Sequence, residues 1–160
     1  MITKRNAFHL LILVLLALNL AFIFVQSALP PEKSAETSDK VGDIVEEVIP
    51  PETKPGAFIQ LHLRKLAHFI EFASLGLLSS VYVVFLGESV KRVSLSLVLA
   101  PTVALFDETV QIFSGRGSSV KDVWIDTLGF ITAALIFYTV YHLTKLIVKK
   151  VNKSKQNATE

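Results

Sequence analysis

The sequence predicts an all-α integral membrane protein, a bundle of four transmembrane helices with both termini in the cytoplasm. Hydrophobic residues make up 51% of the 160 residues, the mean hydropathy is +0.52 and only 19% of the residues are charged. This composition is more apolar than that of a usual soluble domain. The apolar residues fall into four runs, each close to the ~20 residues that a helix needs to cross a bilayer. Four such spans leave no room for a separate soluble catalytic domain.

The first apolar run covers residues 8–25 and follows two basic residues. About 18 helical residues at 1.5 Å each nearly cover a hydrocarbon layer of about 30 Å, so residues 1–26 are predicted to form a transmembrane helix or signal anchor. The alternative is a cleaved secretory signal, because Val25 and Ser27 resemble a small-residue cleavage pattern. We favour the retained helix, because the run exceeds the roughly 7–15 apolar residues of a signal.

Residues 27–62 change composition abruptly and are predicted to form an acidic, proline-flanked extracellular loop, extended or loosely ordered. A weak amphipathic stretch within it has helical spacing and can lie on the membrane or on the protein; it consists of Val41, Ile44, Val45 and Val48. We favour a solvated acidic linker, because the segment is rich in charge and poor in apolar residues.

Three further spans are predicted within residues 63–144, over residues 66–86, 93–113 and 123–143, and residues 145–160 form a basic cytoplasmic tail. Pro101 lies inside the middle one of these spans. It removes a backbone donor and is predicted to kink the helix without ending it, because neighbouring spans commonly compensate for the lost bond.

Basic residues predict the orientation of the spans. They precede the first span, occupy the turn between the second and third, and follow the fourth: Lys4, Arg5, Lys91, Arg92, Lys145, Lys149, Lys150, Lys153 and Lys155. The positive-inside rule assigns this side to the cytoplasm. The acidic loop and residues 114–121 then face outward. Four basic residues on that side weaken the asymmetry and require another role: Arg64, Lys65, Arg116 and Lys121.

Ionisable residues within the spans are the least expected feature, because a charge near a helix centre costs about 2.5–3.5 kcal/mol on insertion scales. They form one stripe on each of the last three spans, in the outer half of the bilayer: Arg64, His68 and Glu71, then Asp107, Glu108 and Gln111, then Asp122 and Asp126. Because isolated charges are costly in lipid, the stripes are predicted to converge on a polar pocket that opens outward. The inner halves carry no matching charges, which argues against an ion conduit.

These residues resemble a known family, the VanZ-like membrane proteins. The resemblance covers about residues 63–137 and rests on Lys65-x-x-His68-Phe69-x-Glu71-Phe72-x-x-Leu75-Gly76, on Asp107-Glu108-x-x-Gln111, and on Arg116, Ser119, Asp122 and Gly129. Phe72 stands where the family often has tyrosine, and Asp126 where it often has asparagine. The resemblance implies a multi-pass protein of the bacterial plasma membrane, related to an accessory protein of resistance to the glycopeptide teicoplanin.

Nine residues are predicted to line the pocket. The candidates for catalysis are His68, Glu71, Asp107 and Asp126. The candidates for binding are Lys65, His68, Glu108, Gln111, Arg116, Asp122 and Asp126. A divalent cation is compatible with these side chains, but the sequence assigns no metal.

Each candidate also has a structural interpretation. His68 can be a metal ligand or general base, or can simply bond a neighbouring helix. Asp107 and Glu108 can bind a cation, or can belong to an interhelical network neutralised by Lys65 and Arg116. Arg116 suits a phosphate or carboxylate but is equally compatible with a surface turn.

Two aspartates near the start of the fourth span are predicted to have different roles. Asp122 follows Ser119 by three residues, which favours a capping box over catalysis. Asp126 lies one turn deeper and has no capping role, so it is the first residue to test for function.

Three functions remain open from the sequence. The first is a role in envelope defence that lowers susceptibility to lipoglycopeptides, as the resemblance implies. The second is an integral-membrane enzyme acting on a lipid-linked phosphate or sugar. The third is a structural or partner-binding protein whose polar stripes fix helix packing. The expected partners are the lipid bilayer and either a lipid-linked cell-wall precursor or a lipoglycopeptide. No nucleic-acid signature is present, and the absence of cysteine excludes disulfides and thiolate chemistry.

Overall fold

The computed structural model describes residues 3–157, and this part of the chain forms five helices and no strand. The helices are α1 (Lys4–Ala28), α2 (Pro31–Val48), α3 (Lys54–Phe85), α4 (Val90–Phe113) and α5 (Val120–Asn157). Four of them, α1, α3, α4 and α5, are long and apolar enough to cross a membrane. The predicted all-α bundle with four membrane spans is therefore confirmed.

Local sequence sets where the helices begin. Thr3, Thr53 and Ser89 precede α1, α3 and α4, and each side-chain oxygen accepts a hydrogen bond from a backbone N–H of the first turn. Pro31 occupies the first position of α2, where its missing N–H costs nothing. Gly87 has a positive φ of 86° in the turn from α3 to α4, a conformation that glycine adopts without strain. α4 continues through Pro101.

The prediction of an extended acidic loop was wrong, because residues 31–48 form the helix α2. The acidic residues are interspersed with good helix formers, and some face a basic partner, as Glu36 does with Lys40 at 2.7 Å. α2 also packs on α3, where Gln60 Nε2 donates to the carbonyl of Gly42 at 3.3 Å and to Glu46 Oε1 at 3.0 Å. This tertiary contact stabilises a helix that composition alone does not predict.

α3 and α5 extend beyond the apolar runs. α3 already begins at Lys54, within the predicted loop, and α5 continues to Asn157 through the predicted basic tail. At 1.5 Å per residue they are about 48 Å and 57 Å long, which exceeds the ~30 Å hydrocarbon layer. Both helices are therefore longer than a span perpendicular to the membrane requires.

The closest packing is between α3 and α5, and two glycines make it possible. A Cβ added at Gly76 would clash with the backbone carbonyl of Phe130, and one added at Gly129 would clash with that of Phe69. Small residues at helix crossings are typical of membrane bundles, because they let the backbones approach. The crossing brings the polar stripes of α3 and α5 together, with Asp126 one turn before Gly129 and His68 about two turns before Gly76.

Candidate functional site

Four elements meet at one end of the bundle: the end of α1, the first half of α3, the end of α4 and the start of α5. Three ionisable side chains converge there. His68 Nδ1 lies 3.8 Å from Asp107 Oδ2 and 3.8 Å from Asp126 Oδ1. Both aspartates are completely buried. The structure thus brings together one predicted residue from each of the three polar stripes.

Asp107 is held by hydrogen bonds on both of its oxygens. The hydroxyl of Ser27, at the end of α1, donates to Oδ1. The side-chain nitrogen of Gln111, Nε2, donates to Oδ2 at 2.8 Å. The side-chain oxygen of the same residue, Oε1, accepts from Arg64 Nη2, also at 2.8 Å. This chain of donors ties α1, α3 and α4 together and fixes the orientation of the Asp107 carboxylate.

Asp126 has a different environment. Neither of its carboxylate oxygens has a hydrogen-bond partner among residues 3–157, and the same holds for His68 Nδ1, which faces it. A buried polar atom without a partner costs about 1–3 kcal/mol in protein mutational data, and a charge costs more. Within residues 3–157, the protein supplies no donor to this carboxylate. The site can therefore accept a cation or a proton-donating ligand.

Glu108 caps the loop before α5, a role that the sequence assigned to Asp122. The backbone N–H of Ser119 donates to Glu108 Oε2 at 2.8 Å, and the Ser119 hydroxyl accepts from the N–H of Lys121 at 3.1 Å. The capping box predicted for Ser119 and Asp122 is thus completed by a carboxylate from α4 instead. Asp122 instead lines a cavity between α3 and α5.

Two guanidinium groups border the site. Arg116 is buried in the loop between α4 and α5, and its Nη1 donates to the carbonyl of Gln26 at 2.8 Å. Its Nε has no partner in the described part of the chain. Burial is the main cause that lowers the pKa of Arg116 from its ordinary value, and the neighbouring Arg64 lowers it further. Arginine remains cationic at neutral pH, so both groups are available to an anion.

Three cavities lead to these groups. The outermost, of about 610 Å³, lies between α2, α3 and the Arg116 loop. A second, of about 180 Å³, is lined by α1, α2, α3 and Arg116, and it reaches His68 and Glu71. A third, of about 150 Å³, lies between α3 and α5 and is lined by Lys65, His68, Asp122 and Asp126 among others. His68 borders the second and third cavities and so stands between them.

Two predicted residues lie apart from the central cluster. Glu71 is one turn deeper on α3, and its Oε2 is buried without a hydrogen-bond partner among the described residues. Lys65 is exposed and lines the α3–α5 cavity. In the described structure, Arg64 takes the part in the Asp107 network that the sequence interpretation gave to Lys65.

Sequence reasoning missed the contribution of α1. Ser27 and Gln26 end the first apolar run and reach Asp107 and Arg116, respectively. Deeper in the same helix, Asn19 donates to the hydroxyl of Ser74 on α3. The available signal was the presence of these polar residues in and just after an otherwise apolar run.

The fold and the cluster define a polytopic membrane protein in which buried carboxylates and a half-buried histidine on the spans lie near a buried arginine of the α4–α5 loop. The chain matches the VanZ/LLP1 family over residues 8–142, and it belongs to this family. The match is wider than the resemblance read from the motifs and includes α1. Comparisons with curated proteins and with solved structures gave no match.

Proposed function

We propose that this VanZ-like protein lies in the bacterial plasma membrane and lowers susceptibility to lipoglycopeptides such as teicoplanin through its polar site. The proposal depends on one observation, a polar cluster with unused binding capacity. Buried atoms of Asp126 and His68 have no hydrogen-bond partner in the described part of the chain, and Arg64 and Arg116 line the adjacent cavities. Ionisable groups inside membrane spans are rare and are commonly functional, because they are costly in lipid.

The proposed orientation places the site outside the cell. The turn with Lys91 and Arg92 and the lysine-rich end of α5 lie at the opposite end of the bundle from His68. The positive-inside rule then puts both termini in the cytoplasm. The proposed organisation is a first helix over residues 1–26, an external segment over 27–62, a core over 63–144 and a cytoplasmic tail over 145–160.

In this proposal the site acts on an anionic group at the outer membrane surface. Arg64 and Arg116 line the two cavities beside α2, and guanidinium groups bind phosphate or carboxylate through paired N–H donors. Lipid-linked cell-wall precursors and glycopeptides both carry anionic groups. Binding either one near the membrane would change what the antibiotic encounters, and it requires no chemical step.

A second candidate is an integral-membrane enzyme acting on a lipid-linked phosphate or sugar. It is favoured by the unpartnered Asp126 and His68, because a base needs an unoccupied lone pair. Arg116, Arg64 and Lys65 would hold the anionic headgroup. His68, Glu71, Asp107 or Asp126 would move the proton.

A third candidate is a structural role. The chain of hydrogen bonds from Ser27 through Asp107 and Gln111 to Arg64 joins three helices, as a packing device would. This interpretation accounts for Asp107 but leaves Asp126 without a purpose.

The test is the teicoplanin susceptibility of a deletion strain complemented with variants of equal membrane abundance. We expect deletion to increase susceptibility, wild type to restore resistance, and His68→Gln and Arg116→Gln to fail to restore it. The matched controls are His142→Gln and Arg92→Gln at the opposite end, which should restore it. Unchanged susceptibility on deletion contradicts the defence role. Loss of the His68→Gln and Arg116→Gln proteins from the membrane supports the structural role instead.

A further inference from the structure

We propose that His68, Asp107 and Asp126 form a binding site for one divalent transition-metal ion, Zn²⁺ or Mn²⁺. The three residues come from three different helices, so such an ion would join α3, α4 and α5. The inference deepens the proposed function, since it assigns a resident ion to the same site, but it rests on the geometry of these side chains alone.

The distances are suitable for an ion. One potential ligand atom from each residue lies within 4.8 Å of the other two, and His68 Nδ1 is 3.8 Å from an oxygen of each aspartate. Ligands about 2.0–2.1 Å from a tetrahedral ion are separated by roughly 3.4 Å. The side chains need to move inward by less than an ångström and a half, which rotamer adjustments within the cluster allow.

The hydrogen bonding of the three residues leaves ligand positions unused. Asp126 is completely buried with both oxygens unpartnered, and His68 Nδ1 between the two aspartates is likewise unpartnered, within the described chain. In the imidazole tautomer that carries its proton on Nε2, Nδ1 presents a lone pair toward the carboxylate oxygens. A cation between them converts this repulsion into coordination, whereas a single shared proton can satisfy only one pair of atoms.

Asp107 has the surroundings of an oriented metal ligand. Ser27 donates to one of its oxygens and Gln111 to the other, and Arg64 in turn donates to Gln111. Each carboxylate oxygen has two lone pairs, so Oδ2 can still bind an ion. Outer hydrogen bonds of this kind commonly fix ligating carboxylates in metal sites.

The charge around His68 is also unbalanced. Five carboxyl groups belong to the predicted site: Glu71, Asp107, Glu108, Asp122 and Asp126. Only three cationic side chains accompany them: Arg64, Lys65 and Arg116. A divalent ion supplies positive charge where the low dielectric of the membrane makes the excess most costly.

The donor set restricts the metal. One imidazole nitrogen with two carboxylate oxygens suits Zn²⁺ or Mn²⁺, while Ca²⁺ and Mg²⁺ prefer oxygen ligands and more of them. Three protein ligands leave a coordination position open, as in catalytic rather than structural zinc sites. His68 borders one cavity lined by Arg64 and Arg116 and another lined by Arg64 and Lys65, so an anion on the ion would have a guanidinium group nearby.

The test measures metal bound to the purified full-length chain in detergent. After chelation and dialysis, we expect the wild type to take up about one Zn²⁺ or Mn²⁺ per chain, measured by elemental analysis and by titration calorimetry with each metal alone. The bound metal should also raise the thermal midpoint. Asp126→Asn and His68→Gln should bind at least about 10-fold more weakly, and Ser27→Ala about 10-fold more weakly through the lost support of Asp107.

The control Glu47→Gln removes an exposed acidic side chain of α2 and should bind metal as the wild type does. Equal loss of binding in this control, or a wild type that takes up neither metal, overturns the proposal. If His68→Gln does not fold, Asp126→Asn decides, because it keeps the shape of the side chain and removes a buried charge. This outcome is separable from that of the proposed function. If the purified protein binds metal but deletion of the protein leaves teicoplanin susceptibility unchanged, the defence role is refuted and the ion site is retained.

Discussion

The two ends of the bundle differ in whether their polar side chains are paired and exposed or buried without a partner among the described residues. At the end away from the site, Glu88 pairs with Lys145 at 3.0 Å and with His142 at 3.3 Å, and all three are at least partly exposed. His9 and Tyr82 also bond each other there, at 2.9 Å. At the site end, Asp126 is fully buried and unpartnered among the described residues. At the first end, Glu88 is paired with neighbouring basic side chains. At the site end, the buried Asp126 carboxylate has no partner among the described residues and can still bind a ligand.

The difference separates polar residues that hold a structure from those available for function. Surface pairs such as Glu88 and Lys145 cost little and contribute little, so any bundle can carry them. A buried unpaired carboxylate lowers stability, and it persists when something else depends on it. The following predictions test this contrast, from the largest expected effect to the smallest.

Gly129→Val should have the largest effect, because its side chain would meet the backbone of Phe69 next to His68. Separating α3 from α5 costs several kcal/mol of packing, at least the ~1–3 kcal/mol of ordinary overpacking. We expect the protein to be lost from membranes, measured by quantitative immunoblot. Gly117→Val is the matched control, since a Cβ there has no atom within 4 Å. Normal accumulation of the Gly129 variant would mean that the crossing is not needed to bring the site together.

Asp126→Asn should raise the thermal midpoint of the chelated protein. Asparagine removes the cost of burying a charge at a position without a partner among the described residues, so we expect a rise of several degrees. The comparison is Glu88→Gln at the opposite end, which removes a paired carboxylate and should not stabilise. A lower thermal midpoint for Asp126→Asn in the absence of metal would contradict the prediction that the buried Asp126 carboxylate destabilises the protein.

Ser27→Ala should lower the thermal midpoint by a smaller amount, equivalent to about 1 kcal/mol, because Asp107 loses one buried donor. Thermal unfolding in detergent measures the effect. Ser118→Ala, at an exposed loop position, is the control and should behave as wild type. An unchanged midpoint for Ser27→Ala would show that α1 contributes no stability to the site end.

Lys145→Gln should have the smallest effect. The pair with Glu88 is exposed to solvent, so its loss should leave the thermal midpoint and the teicoplanin phenotype unchanged. A clear loss of stability would mean that the Glu88–Lys145 pair stabilises the protein despite its exposure, which would contradict the proposed contrast between the two ends.

The sequence predicted the fold well because length and apolarity determine whether a helix spans a membrane. It predicted the four spans, and it put His68, Asp107 and Asp126 on stripes that the structure brings together. It failed where the outcome depends on contacts between distant residues. The α2 helix depends on its contact with Gln60, and the cap of α5 depends on Glu108.

The sequence also could not predict which of two adjacent basic residues on α3 contacts the Asp107 network. Arg64 and Lys65 differ by one position, and only the packed bundle determines that Arg64 faces Gln111. Ser27 also escaped prediction, because a polar residue at the end of an apolar run is a weak signal that does not identify its partner. Its role follows from its position beside α4, some 80 residues along the chain.

The size of the cavity that reaches His68 limits what the protein can hold. Its volume is about 180 Å³, which is small for a ligand site. A phosphate, a hydrated ion or one end of a headgroup fits this space, and a whole glycopeptide does not. If the proposed function holds, we expect a large antibiotic or precursor to reach His68 with only a small part of its surface.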